Sequence, residues 1–116
     1  MKIAEATAES GLSADTIRFY ERQGLLDKIK RGPEGHRAFS AKDLRWLKLF
    51  ERLRSTSMPL AEMKRFAELA REGDQTRSLR LEMLKQHLVR LNDMQRRIDN
   101  CRVLIDEKIS VYSELE

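Results

Sequence analysis

At 116 residues the chain has room for one small domain and one additional element. It is 36% charged and 41% hydrophobic. With so many charges over the last forty positions, it reads as an elongated helix that finds its core in a partner, not as a compact monomer. A single cysteine, Cys101, excludes a disulfide within the chain, and no apolar run reaches membrane-spanning length. The N-terminus Met1-Lys2-Ile3-Ala4-Glu5 carries an early acid and opens directly into a helical pattern. This is unlike a secretory signal, so a reducing cytoplasm is the expected compartment.

The net charge is +4, with a pI near 9.5. Residues 1–59 hold 12 Lys/Arg against 8 Asp/Glu, whereas residues 60–116 hold 11 of each. The basic surplus therefore lies wholly in the first half, and its localisation says more than its size.

Taken in order, Ile3, Ala6 and Thr7 share one face of a short first helix that Gly11 ends in a left-handed position. Ser13 caps a second helix, with Asp15 in its first turn at the positive dipole end. Ile17 and Tyr20 face inward and leave Thr16, Arg18 and Arg22 outside; Gly24 ends the helix, and Leu25 and Leu26 return to the core. Gly32-Pro33-Glu34-Gly35 is a strong turn signal, and short strands on either side within 28–39 make a basic hairpin, or wing. Ser40, with Asp43 three residues on, caps a third helix with the apolar set Leu44, Leu47, Leu49, Phe50 and Leu53. Trp46 lies partly off that stripe and is expected to cover the seam between wing and helix. Pro59 suits the first turn of a fourth helix through Leu60, Met63, Phe66, Ala67 and Leu69 to Gly73.

From about Gln75 to Tyr112 there is neither Gly nor Pro. One helix of roughly 38 residues would span ~57 Å. Its seam runs through Leu84, Leu88, Leu91, Met94, Ile98, Cys101, Ile105 and Ile109, mostly in steps of three and four, with Gln95 and Arg102 weakening a strict heptad. Alone, such a helix leaves a long apolar stripe in water, which favours a dimer. The expected fold is mainly α: a winged helix-turn-helix over residues 1–73, then a long C-terminal coiled-coil dimerisation helix over 74–116.

The motifs Gly11-Leu12-Ser13, Thr16-Ile17-Arg18-Phe19-Tyr20-Glu21, Gly24-Leu25-Leu26, Gly35-His36-Arg37 with Phe39-Ser40, Asp43-Leu44, and Leu53-Arg54 before Pro59-Leu60-Ala61-Glu62-Met63 together resemble the MerR family of transcription regulators, nearly end to end. The tail Leu104–Tyr112 is similar to that of small members associated with aldehyde, thiol or nitrosative stress. The resemblance implies a homodimer joined by an antiparallel coiled coil, each subunit gripping half of a palindromic promoter in double-stranded DNA. It implies that the dimer bends and untwists over-long promoters so that RNA polymerase can engage them, in response to a small-molecule effector. It implies no cofactor and a place in the bacterial cytoplasm, at the nucleoid. Two positions depart from the family pattern: His36 stands where Tyr is usual and Ala38 where a second Arg is usual. Because the sequence stops just after the long helix, neither a large drug-binding domain nor a cysteine-bearing metal loop is expected.

The candidate DNA-binding residues are Ser13, Thr16, Arg18, Phe19, Tyr20 and Arg22 on the second helix and Arg31, His36 and Arg37 on the wing. Tyr20 reads equally as a DNA contact or a half-buried residue, Arg54 as a phosphate contact or an ion-pair partner, and Lys28 and Lys30 as contributors to the field or solvated charges. Cys101 has two readings: a sensor thiol at the dimer seam, with Arg97 and Arg102 near in sequence, or a small hydrophobe in a coiled coil. The second is favoured. His87 reads as surface or interhelix packing, and Met58, Met63, Met83 and Met94 as core fillers. No metal site, Gly-rich phosphate loop or catalytic constellation stands out. A second reading of function is an excisionase-like architectural DNA-bender without an effector; the long helix argues against it.

Overall fold

A computed structural model describes residues 1–27 and 29–115. Lys28, one of the candidate contributors to the basic field, lies outside the described residues. Helix α1 (Ile3–Ser10) buries Ala6 and stops at Gly11, whose φ of 77° lets its N–H reach the Thr7 carbonyl at 3.0 Å. Helix α2 (Ala14–Arg22) starts at Ser13, whose hydroxyl accepts from the Thr16 amide at 3.1 Å. It ends in a double turn at Gly24, φ 78°, where Gly24 N–H bonds Glu21 O and Leu25 N–H bonds Tyr20 O. Leu25 and Leu26 then enter the core.

The wing is a hairpin of β1 (Lys30–Arg31) and β2 (Arg37–Ala38), antiparallel, with Lys30 opposite Ala38 and Arg31 opposite Arg37. Gly32 N–H closes the loop onto His36 O at 2.8 Å. Ile29 and Phe39, just outside the paired residues, are buried and pin the hairpin's base. The Phe39 amide also donates to Met1 O at 2.7 Å.

Helix α3 (Ala41–Ser55) has a reciprocal cap: Asp43 N–H to Ser40 Oγ and Ser40 N–H to Asp43 Oδ2. It buries Leu44, Leu47, Phe50 and Leu53, and Leu49 is only half-buried. The Trp46 expectation is corrected. Its ring stacks on Phe50 (centroids 5.4 Å apart, 24° between planes) and meets the edge of Phe66 on α4, so it fills the angle between α3 and α4 and not the wing seam. The residue is one helical turn ahead of Phe50, and ring stacking outweighs its position off the aliphatic stripe.

Helix α4 (Leu60–Glu72) follows Pro59 and buries Met63, Phe66, Ala67 and Leu69. It also holds the end of α2. Arg71 Nη1 donates to Gly24 O at 2.8 Å, and Lys64 Nζ reaches Gln23 Oε1 at 3.5 Å. After Gly73, a single 3₁₀ turn (Asp74–Thr76) leads into α5 (Arg77–Leu115), 39 residues long. Buried Thr76 anchors this junction: its hydroxyl faces the Leu69 and Gly73 carbonyls, and Arg80 donates to it. Two compact units result, Met1–Arg80 and Leu81–Glu116, and the division falls inside α5.

Ser57, in the α3–α4 connection, has φ 73°. Its N–H bonds Arg54 O and the Met58 N–H bonds Leu53 O, so it fills the left-handed position that glycine occupies after α2. A side chain there is strained. Ser57→Gly is expected to raise stability by about 0.5–1 kcal/mol, the relief exceeding glycine's extra unfolded-state freedom. Urea denaturation at fixed protein concentration measures the change.

Candidate nucleic-acid interface

Burial of Ile17 and Tyr20 turns the opposite side of α2 outward. Asp15, Phe19 and Arg22 are exposed there, and Arg18 is half-exposed between them. Arg18 Nη1 lies 3.2 Å from Asp15 Oδ1, one turn apart in solvent. Such a pair contributes little, so the guanidinium can exchange this partner for another anion at small cost. Ser13 and Thr16 spend their hydroxyls locally, the Ser13 hydroxyl donating to Thr16 Oγ1 at 2.9 Å while capping the helix.

On the wing, Arg31 Nη1 donates to Gly35 O at 2.7 Å and braces the turn. His36 is exposed, 4.0 Å from the Glu34 carboxylate. Arg37 is not a free surface cation. Its Nε donates to Glu21 Oε2 at 2.7 Å, with both side chains about three-quarters buried. In the sequence Glu21 stands only as part of a motif; the cross-strand position of Arg37 opposite another arginine, where like charges repel, is the signal that points to an acidic partner.

Between α2 and the start of α4 lies an open cleft of about 310 Å³, lined by Asp15, Thr16, Phe19, Tyr20, Arg54, Met58, Leu60 and Met63. Pro59 gives α4 no side-chain cap, and Glu62 in the first turn offsets part of the positive dipole end. Exposed Arg54 brings a cation to the same place. Asp15 lines the same cleft, so Arg54 is the group there that can meet an anionic oxygen.

Tyr20 is corrected as a surface contact. It is 1% exposed, its ring meets Phe50 edge-on, and its buried hydroxyl makes no well-formed hydrogen bond among the described residues, with the Arg54 guanidinium the polar group that approaches it. Burial pushes the phenol above its ordinary pKa of 10.0, and the neighbouring Arg54 guanidinium opposes part of that shift. The helical period puts position 20 beside position 17, and the core needs both.

In the second unit, Leu84, Leu88, Ile98, Cys101, Ile105 and Ile109 are exposed, and Leu91 and Met94 half-exposed. His87 is buried, with Arg90 Nη1 3.2 Å from its Nδ1. Among the described residues, no helix is long and apolar enough to cross a membrane, and no group of three or more His, Cys, Asp or Glu could hold a metal ion.

Residues 1–69 match the family described as MerR HTH family regulatory protein. The chain is 36% identical to an uncharacterised HTH-type transcriptional regulator of Haemophilus influenzae, over 96% of this chain and 82% of that protein. The crystal structure of HiNmlR, a MerR family regulator lacking the sensor domain, bound to promoter DNA, superposes with a TM-score of 0.88 at 34% identity, covering 97% of this chain and 90% of that one. A MerR family transcriptional regulator from Bacillus thuringiensis superposes with a TM-score of 0.85 at 28% identity, over 95% and 96%. The chain belongs to the MerR family, whose members are DNA-binding transcription regulators.

Tyr20→Phe removes a buried hydroxyl that makes no well-formed hydrogen bond among the described residues. It is expected to hold or raise stability by up to about 1 kcal/mol in a denaturation titration. A loss larger than that would show that the phenol has a partner in solution.

Proposed function

We propose that this chain acts as a homodimer that reads a palindromic promoter, with α2 and the wing of each copy on one half-site. The observation that carries this reading is the outward stripe of Arg18, Phe19 and Arg22, flanked by the arginines of a wing tied to the same helix. Arg18 and Arg22 reach base edges or flanking phosphates, and Ser13 and Thr16 sit at the helix N-terminus, where backbone phosphates are favoured. Arg31, His36 and Arg37 position the duplex through phosphates, as does the Arg54 cleft. Tyr20 acts from the core by fixing α2. The likeness to HiNmlR, whose structure holds promoter DNA, supports this assignment.

Dimerisation occurs along the apolar stripe of α5, through Leu84, Leu88, Leu91, Met94, Ile98, Cys101, Ile105 and Ile109, as an antiparallel coiled coil. The exposure of most of these residues in a single copy supports it, because water would otherwise cover a continuous apolar seam. The bound dimer bends and untwists the promoter, protein contacts offsetting the deformation cost, and so controls RNA polymerase in response to a small signal. It works in the cytoplasm, at the nucleoid. Footprinting on the upstream region of its own gene tests the reading: protection of a palindrome between promoter elements is expected, and no protection overturns it.

Arg54→Ala should weaken binding about equally on specific and random duplexes and make the salt dependence shallower by roughly one phosphate contact. Arg18→Ala should cost about 1–3 kcal/mol on the true site and less on random duplex, if it reads a base edge. Competition titrations at two or more salt concentrations separate the two patterns. Ile98→Lys should convert the dimer to monomer in light scattering, since it buries an unpaired ammonium in the seam; a stable dimer would place the interface elsewhere.

A further inference from the structure

We propose that Glu21 is a positioning residue for DNA binding, whose carboxylate holds the Arg37 guanidinium and thereby locks the wing to α2. The inference rests on the DNA-binding reading above and assigns a role within it to an acidic residue on the binding side.

The hairpin has two paired residues per strand, far too few to hold a fixed pose alone. Ile29 and Phe39 bury its base, and the Phe39 amide pairs with Met1 O. The hydrogen bond from Arg37 Nε to Glu21 Oε2, 2.7 Å, is the polar link from wing to α2 among the described residues. With side chains 26% and 21% exposed, it is far less open to water than the ion pairs at Arg18 or His36. It also settles a local conflict. Arg31 and Arg37 stand directly opposite across the ladder, where like charges repel. Arg31 is drawn off by the Gly35 carbonyl, and Glu21 neutralises Arg37.

A guanidinium is planar, so holding Nε fixes where both η nitrogens point. Glu21 uses Nε and leaves the η nitrogens for a phosphate. Distance and angle between wing and α2 are then set before DNA arrives, and little freedom is lost on binding.

The sign of the effect discriminates. Glu21→Gln removes a negative charge from a surface that meets a polyanion, so Coulomb's law alone makes the variant bind DNA more tightly. A positioning role makes it bind more weakly: about tenfold, with a salt dependence shallower by about one phosphate contact as Arg37 loses its aim. Glu21→Ala should behave alike, and combining either with Arg37→Ala should cause no loss beyond that of Arg37→Ala alone. Equal or tighter binding by Glu21→Gln, or additive losses in the double variant, would overturn the proposal.

Amide hydrogen exchange on the free protein supplies a readout that needs no DNA. Glu21→Gln should speed exchange at Gly32, whose N–H closes the wing on His36 O, while the α3 amides keep their protection. Unchanged exchange at Gly32 also overturns the lock. Failure of the wild-type chain to prefer any duplex would instead sink the DNA-binding reading, and the exchange measurement would still decide whether Glu21 holds the wing.

Discussion

The direction in which α2 faces follows from one burial. Tyr20 sits edge-on to Phe50 beneath Trp46, and Ile17 is fully buried one turn before it. Rolling the helix by one residue would carry Arg18 or Glu21 into that core, and an unpaired buried charge costs several kcal/mol at the least. The outward stripe is therefore a consequence of the inward one. A phenol without a well-formed hydrogen bond at the centre of this packing is tolerated because the ring's apolar area outweighs the loss at a single hydroxyl, which Arg54 approaches.

Charges on the outward side are held in place before any partner arrives. Arg18 leans on Asp15, Arg31 on the Gly35 carbonyl and Arg37 on Glu21. These ties differ in burial, and so in how readily they yield. The Arg18 pair is open to water and exchangeable, whereas the Arg37 pair is mostly shielded and acts as a strut. On the far end of α2, Arg71 and Lys64 of α4 grip the closing turn. Helix α2 is thus fixed at its cap, its core face and its end.

The second unit obeys a different logic. Most of its Leu, Ile and Val side chains are exposed among the described residues. A helix of this length without Gly or Pro stays continuous by propensity, but its apolar positions gain nothing until another surface covers them.

Local signals made much of the architecture legible. Ser13 and Ser40 announce helix starts because a hydroxyl can satisfy an orphan amide, Gly11 and Gly24 mark helix ends, and Gly32-Pro33-Glu34-Gly35 makes a turn whatever surrounds it. The motif set was enough to point to the family. Less legible was everything that depends on angles between elements. Trp46 turned toward α4, Tyr20 turned wholly inward, and Arg37 found an acid sixteen residues away. Ser57 took a backbone conformation that its residue type does not advertise.

Caps, turns, apolar periods and the placement of charge along the chain are local or one-dimensional properties, and residue order alone sets them. Which arginine stays free, which is held, and where an anion can rest depend on side chains meeting from distant elements. Those meetings exist only after α2, α3, α4 and the wing have packed, because hydrogen bonds and ion pairs act over a few ångströms and are blind to separation in sequence.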